Sequence, residues 1–303
     1  MTAPHNTLNE VYELAFIAEA IIAQRNASLL LNHSKDLRHF TKAEITAWLG
    51  GIHSVTLDRW CSALGFDPQN KDPDAQWLLD INEAYELRDA LRSKESKVQI
   101  PEKFVRTKKQ KLQILAVANQ KGGTGKTVGT INVASYIAAQ LHAEYRVGII
   151  DLDPQGTASM YYSDRNHQDL DHICSVGDLI IGNYELRDGE TLSDRVSESF
   201  LPTTIPNLRM LRAKESDRGL EGKFHEKVSQ GQFANPYNRL SEILEAVEDE
   251  FDIILIDTPP HMTYSVYNTL YAATSLVVPM TPSENDMDAT MHWLTNLRQS
   301  SKP

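Results

Sequence analysis

Asn119-Gln120-Lys121-Gly122-Gly123-Thr124-Gly125-Lys126-Thr127 is a phosphate-binding loop with one extra lysine, and its reading decides the fold. An apolar run, Leu112 to Ala118, precedes it. A helical pattern follows, with Val128, Ile131, Ala134, Ile137 and Leu141 at three- and four-residue spacing. This strand-loop-helix order is the setting such a loop needs. Gly122, Gly123 and Gly125 free the backbone for the dihedrals and close approach that let N–H groups, Thr124's included, cradle a polyphosphate at a helix N-terminus whose dipole favours an anion. Lys126 is then placed to hold the β- and γ-phosphates, and Thr127 a Mg²⁺ ion.

Two further runs fit around the loop. Arg146 to Ile150 reads as a strand and ends in Asp151-Leu152-Asp153-Pro154-Gln155-Gly156. Carboxylates at i and i+2 there lie at the mouth of a parallel sheet, where open α/β folds bind ligands. Phe251-Asp252-Ile253-Ile254-Leu255-Ile256-Asp257-Thr258-Pro259-Pro260 places four apolar residues before a carboxylate, as a strand buried on both faces requires. A helical stretch, Arg239 to Asp249, precedes it, and Leu276 to Met280 reads as the next strand.

Where the general loop pattern has its first glycine this chain has Gln120, followed by Lys121, so the segment resembles the deviant Walker A loop of the ParA/MinD family of P-loop ATPases. The Asp-x-Asp-Pro-Gln-Gly segment resembles that family's Walker A′ element, and Asp257 its Walker B carboxylate. The resemblance implies an α/β P-loop NTPase domain with a mostly parallel sheet that binds ATP or ADP with Mg²⁺. It also implies roles. Lys121 reaches across a sandwich homodimer to the partner's ATP, Asp153 orients the attacking water, Asp151, Thr127 and Asp257 organise the magnesium, and Thr258-Pro259-Pro260 begins a switch that senses the γ-phosphate.

The N-terminal part reads as an all-α helix-turn-helix domain. Residues Thr7 to Leu31 carry a long apolar helical stripe that serves either as an ordinary core face or, as in large ParA proteins, as a dimerisation helix. Thr41 with Glu44 forms a capping box, and Ala43, Ile45 and Trp48-Leu49 are expected to face inward until Gly50-Gly51 breaks the helix. In the second helix Ser54, Thr56, Asp58 and Arg59 face a DNA groove while Leu57, Trp60 and Leu64 pack; a purely structural helical hairpin is the alternative. Gln76 to Ser93 is again helical, and the basic stretch Lys103, Arg106, Lys108, Lys109, Lys111 reads as a linker or a DNA-contacting arm. The expected organisation is a dimerisation helix over 1–35, the helix-turn-helix domain with linker over 36–105, and an ATPase domain over 106–303 that lacks the last segments of a complete family member.

The chain of 303 residues has a formal net charge of −11. Residues 1–111 balance 15 basic against 15 acidic side chains, whereas residues 112–303 hold 15 against 26, so the acidic excess belongs to the ATPase part. That argues against bulk attraction to nucleic acid but leaves room for a local basic surface. No leader and no run of eighteen apolar residues is present, which points to the cytoplasm and away from a membrane. Only two cysteines occur, Cys61 and Cys174. They define neither a disulfide framework nor a zinc site, and Cys174 alone cannot supply the shared cluster of a nitrogenase-type iron protein. The expected function is ATP-dependent DNA partition on the nucleoid with a ParB-type centromere-binding protein, together with autorepression through the helix-turn-helix. The alternatives are a nucleotide-regulated repressor and a MinD-type positioning ATPase, whose C-terminal amphipathic helix is not seen in this sequence.

Overall fold

Alternation along the strands sets the architecture. In the computed structural model, which describes residues 11–18, 20–21, 38–94, 100–162 and 172–300, two cores form. The N-terminal part contains helix α1 (residues 11–18), strand β1 (Phe40–Thr41), α2 (Lys42–Trp48), α3 (Ser54–Leu64), β2 (Leu78–Leu79) and α4 (Ile81–Lys94). The larger part contains β3 (Gln113–Val117), α5 (Lys126–Ala138), β4 (Val147–Asp151), α6 (Thr157–Tyr162), α7 (Val176–Ile181), α8 (Leu192–Ser199), β5 (Phe200–Pro202) and β6 (Leu208–Leu211). It continues through α9 (Leu220–Ser229), α10 (Arg239–Ala246), β7 (Ile253–Asp257), α11 (Tyr264–Ala272), β8 (Ser275–Val277) and α12 (Glu284–Ser300).

The sheet runs β5-β6-β4-β7-β3-β8, parallel throughout except for the β5–β6 pair at one edge. Period-two alternation divides its core. Ile150, Leu211, Ile254 and Ile256 point to the face covered by Leu179 of α7, Val196 of α8 and Leu240, Ile243 and Leu244 of α10. Their neighbours Ile149, Met210 and Leu255 point to the other face, against Ile131, Ala134 and Ala138 of α5. Ile254, Leu255 and Ile256 are all at most 1% exposed, and burying each contributes about 1.5–3 kcal/mol relative to exposure. The expected parallel α/β core is therefore present; the strands anticipated over 112–118, 146–150 and 253–256 are in place, while the fourth is only Ser275–Val277 and ends short of the expected Met280.

The helical part holds its own core of Ile45, Trp48, Leu49, Leu57, Leu87 and Leu91. Thr41 accepts from the Glu44 N–H while Glu44 accepts from the Thr41 N–H, so the capping box is formed. Two expectations need correction. Ala43 is exposed, because Ile45, Trp48 and Leu49 already define the inward stripe and Ala43 lies about 200° around the helix from Ile45. The segment from Gln76 is not helical at its start: Leu78–Leu79 pairs antiparallel with Phe40–Thr41, so the N-terminal part is not wholly α. The basic stretch is anchored in its first half, where Lys103 pairs with Glu144 at 3.2 Å, Phe104 packs on Tyr145 at 4.8 Å between ring centroids and Arg106 pairs with Glu248 at 3.1 Å, while Lys108, Lys109 and Lys111 are exposed. The dimerisation helix expected over 1–35 falls mostly outside the described residues; Val11, Leu14, Phe16 and Ile17 within α1 are exposed.

The two parts meet at a polar seam. Arg88 of α4, 2% exposed, pairs with Glu144 at 2.7 Å and lies over the rings of Trp48 and Tyr85. The Tyr85 hydroxyl donates to the Gln140 carbonyl at 3.2 Å and accepts from Asn207 Nδ2 at 2.9 Å. Leu141, from the segment after α5, is buried in the helical part's core.

Candidate functional site

The loop after β3 begins with a side chain that braces it. Asn119 is 2% exposed, and its Oδ1 accepts the Lys121 N–H at 2.9 Å. Gly123 and Gly125 have φ of 74° and 84°, left-handed values that a side chain would strain, and Gly125 caps α5. A Cβ at Gly122, Gly123 or Gly125 would meet no atom within 4 Å, so the loop surrounds open space. Thr124 is buried, and its hydroxyl donates to the Lys121 carbonyl at 3.3 Å. Lys126, first residue of α5 and 8% exposed, donates to the same carbonyl at 3.2 Å. Burial lowers the Lys126 pKa, against which the charges of Asp257 and Asp153 act. Lys121, by contrast, extends outward and pairs with Asp286 Oδ1 of α12 at 3.2 Å.

Sheet register unites the two carboxylate segments. Asp151 and Asp257 are partners across β4 and β7, and Val117, last residue of β3, is the partner of Asp257 on its other side. Both aspartates are fully buried. They differ in what satisfies them. Asp151 Oδ1 accepts from the Asp153 N–H at 3.1 Å, and Oδ2 accepts from the N–H and hydroxyl of Ser159 at 2.9 and 2.8 Å. Burial still raises its pKa, with the Ser159 bonds opposing. Neither oxygen of Asp257 has a hydrogen-bond partner. Burial pushes that carboxyl up to about 7; the adjacent Thr127 hydroxyl pulls it down without closing a bond, Asp151 and Asp153 push it further up, and Lys126 again opposes. Asp153 is half-buried at the mouth, its Oδ1 accepting from the Gln155 N–H at 3.0 Å.

A buried carboxylate with no partner is costly, and a cation with oxygen ligands is what removes that cost. Asp257, with Thr127 beside it, fits magnesium on that ground. Among the described residues no group of three or more His, Cys, Asp or Glu is placed to hold a metal ion by itself. Ser54, Thr56, Asp58 and Arg59 are not part of this constellation. They lie on α3 in the helical part, Ser54, Asp58 and Arg59 exposed and Thr56 half-buried, and Asp58 is held by Lys42 of α2 at 2.7 Å.

Sequence reasoning missed Asn119, Ser159, Asp286, Thr290 and Trp293. Asn119 is adjacent to the loop and lay within reach. Ser159 bonds to Asp151 only eight residues back but belongs to no motif, and Asp286, Thr290 and Trp293 carry no local signal because Lys121, Asn119 and Met262 are distant in the chain.

An AAA domain family matches residues 112–302. The Chromosome partitioning protein ParA of Myxococcus xanthus is 34% identical over 169 residues, covering 55% of this chain and 52% of its own length. Plasmid partition protein A of Escherichia coli is 26% identical over 197 residues, covering 62% of this chain and 47% of its own length. The chain thus spans about half the length of these curated relatives. A solved structure named Partition Protein superposes with a TM-score of 0.63 at 23% identity, over 94% of this chain and 77% of that one, a likeness of fold that includes the helical part. With its deviant loop, paired aspartates and parallel sheet, the chain belongs to the AAA domain family, as a ParA-type P-loop ATPase.

Proposed function

We propose that this chain is the nucleotide-binding part of a DNA-partition ATPase that binds ATP with magnesium and dimerises around it. The observation that carries the reading is Asp257: a fully buried carboxylate without a partner, in register with Asp151 and beside Lys126 and Thr127, at the open end of the sheet. Magnesium there supplies charge neutralisation for the phosphates. Lys126 and the N–H groups of residues 122 to 127 bind the phosphate chain, Thr127 and Asp257 hold the metal, and Asp151 braces the mouth through Ser159. Asp153, held at that mouth with a free carboxylate oxygen, orients the attacking water and takes its proton.

The named partition relatives support the biological assignment: a homodimer that occupies DNA on the nucleoid and is stimulated by a ParB-type centromere-binding partner. The helical part serves operator recognition and autorepression through α3. Among the described residues no helix is long and apolar enough to cross a membrane.

The test is magnesium-dependent binding of a fluorescent ATP analogue to the full chain and to Lys126→Ala. Wild type is expected to bind and the variant to lose binding, with the far-ultraviolet circular dichroism of both unchanged. Equal binding by a folded Lys126→Ala would remove the phosphate-loop assignment.

A further inference from the structure

Helix α12 presents Asp286, Thr290 and Trp293 at i, i+4 and i+7, one stripe of a helix with 3.6 residues per turn. The first two reach the entrance of the phosphate loop, and the third reaches the segment after β7. Asp286 holds the Lys121 side chain. Thr290, fully buried, accepts from Asn119 Nδ2 at 2.9 Å and donates to the Asp286 carbonyl at 2.8 Å. Asn119 also donates to the Pro279 carbonyl at 2.9 Å, while its Oδ1 holds the Lys121 N–H, so the amide bridges three segments at once. Trp293, 1% exposed, donates its indole N–H to Met262 Sδ at 3.2 Å, in the segment that follows β7 and Asp257.

We infer that α12 is a strut joining the entrance of the phosphate loop to the segment after β7, with Thr290 and Trp293 as positioning residues. The inference rests on the nucleotide reading above. The physical reason is pre-organisation. On that reading a diphosphate would engage the loop, whereas a third phosphate, sharing the magnesium that Asp257 would hold, would lie nearer the end of β7 and the segment after it. Two surfaces held at a fixed separation by one rigid helix need no rearrangement to take that group, and binding is stronger by the ordering avoided. Cutting the strut at either end removes this advantage from the triphosphate and leaves the diphosphate nearly untouched.

The experiment measures dissociation constants for ADP and for a non-hydrolysable ATP analogue, both with magnesium, on full-length wild type, Thr290→Val, Thr290→Ser, Met262→Leu and the Thr290→Val/Met262→Leu double variant. Thr290→Val keeps the shape and deletes the hydroxyl. The analogue-to-ADP affinity ratio is expected to fall roughly three- to tenfold, the size of one buried hydrogen bond. Thr290→Ser should restore it. Met262→Leu, in a half-buried loop, gives an independent cut if Thr290→Val does not fold, and the double variant should lose no more than the larger single loss, since a strut can be broken only once. A ratio unchanged in Thr290→Val or Met262→Leu, equal losses for both nucleotides, failure of serine to restore, additive losses in the double variant, or a wild type that does not distinguish the nucleotides would each overturn the strut. Wild type that binds neither nucleotide would instead overturn the reading on which it rests.

Discussion

Lys121 Nζ lies 3.2 Å from Asp286 Oδ1, so the lysine that a deviant Walker A loop would send to a second subunit is paired within its own. The Thr281 hydroxyl and then Lys121 hold the Asp286 carboxyl below the usual carboxylate range. Asp286→Asn weakens the internal pair and is expected to strengthen analogue-dependent self-association. The effect should not exceed about fivefold, because Lys121 is 44% exposed and solvent screens the pair. Lys121→Ala should lower self-association and leave monomer stability alone. Sedimentation velocity with and without the analogue checks both, and a shift in the same direction for the two variants would deny Asp286 its competing role.

Asp153 sits at the mouth without being needed to hold the strand end, which Asp151 and Ser159 secure. Asp153→Ala should therefore bind the ATP analogue normally and lose at least ~10²-fold in hydrolysis, the scale of one general acid–base group. Phosphate release under partner- and DNA-stimulated conditions is the measurement. Turnover within a few-fold of wild type would assign the water to another group.

Asp257 gives a pH signature. Its folded pKa, about 7, is raised above the ordinary carboxylate value, so the folded state holds the proton more tightly than the unfolded chain. The stabilising contribution is complete below the unfolded pKa of about 4 and is lost as pH rises through 7. Without nucleotide, the melting temperature of wild type should fall relative to Asp257→Asn between pH 5 and 8. At pH 8 the variant should be the more stable protein while failing to bind nucleotide through magnesium. Parallel melting curves across that range would show the carboxylate to be already compensated.

Arg59 on α3 tests the helical part. If α3 reads a base, Arg59→Ala costs roughly 1–3 kcal/mol at the specific site, and if it contacts phosphate, all sequences weaken together and the salt slope shrinks. A dimer presenting two such helices prefers an inverted repeat with half-sites about 34–36 Å or a multiple apart. Binding of the protein's own promoter at one fixed salt concentration decides; no change on substitution would leave the two helices as a structural hairpin.

Strands β3, β4 and β7 could be read from the chain because a strand covered on both faces must be apolar at every position, and Ile253 to Ile256 meets that demand locally. The loop was legible for the same reason: its glycines, Lys126 and Thr127 are adjacent. The capping box of Thr41 and Glu44 needs only three residues of spacing. By contrast, Leu78 and Leu79 look like the start of the helix that follows them, and only pairing with Phe40 and Thr41 makes them a strand. Asp286 and Thr290 look like ordinary residues of an exposed helix. Their meaning comes from Lys121 and Asn119, which lie far back along the chain and are brought near when β8 pairs with β3.

Leu141 belongs by sequence to the ATPase part and by packing to the helical one. Any attempt to dissect the protein by cutting near residue 105 would strip its cover from that leucine and leave Glu144 without Arg88. The excised ATPase fragment would then carry a fresh sticky patch, and its self-association would report the scissors and not the nucleotide. Point substitutions in the intact chain are the sounder instrument, and a shortened form would need Leu141 replaced by a polar residue before its oligomeric state could be interpreted.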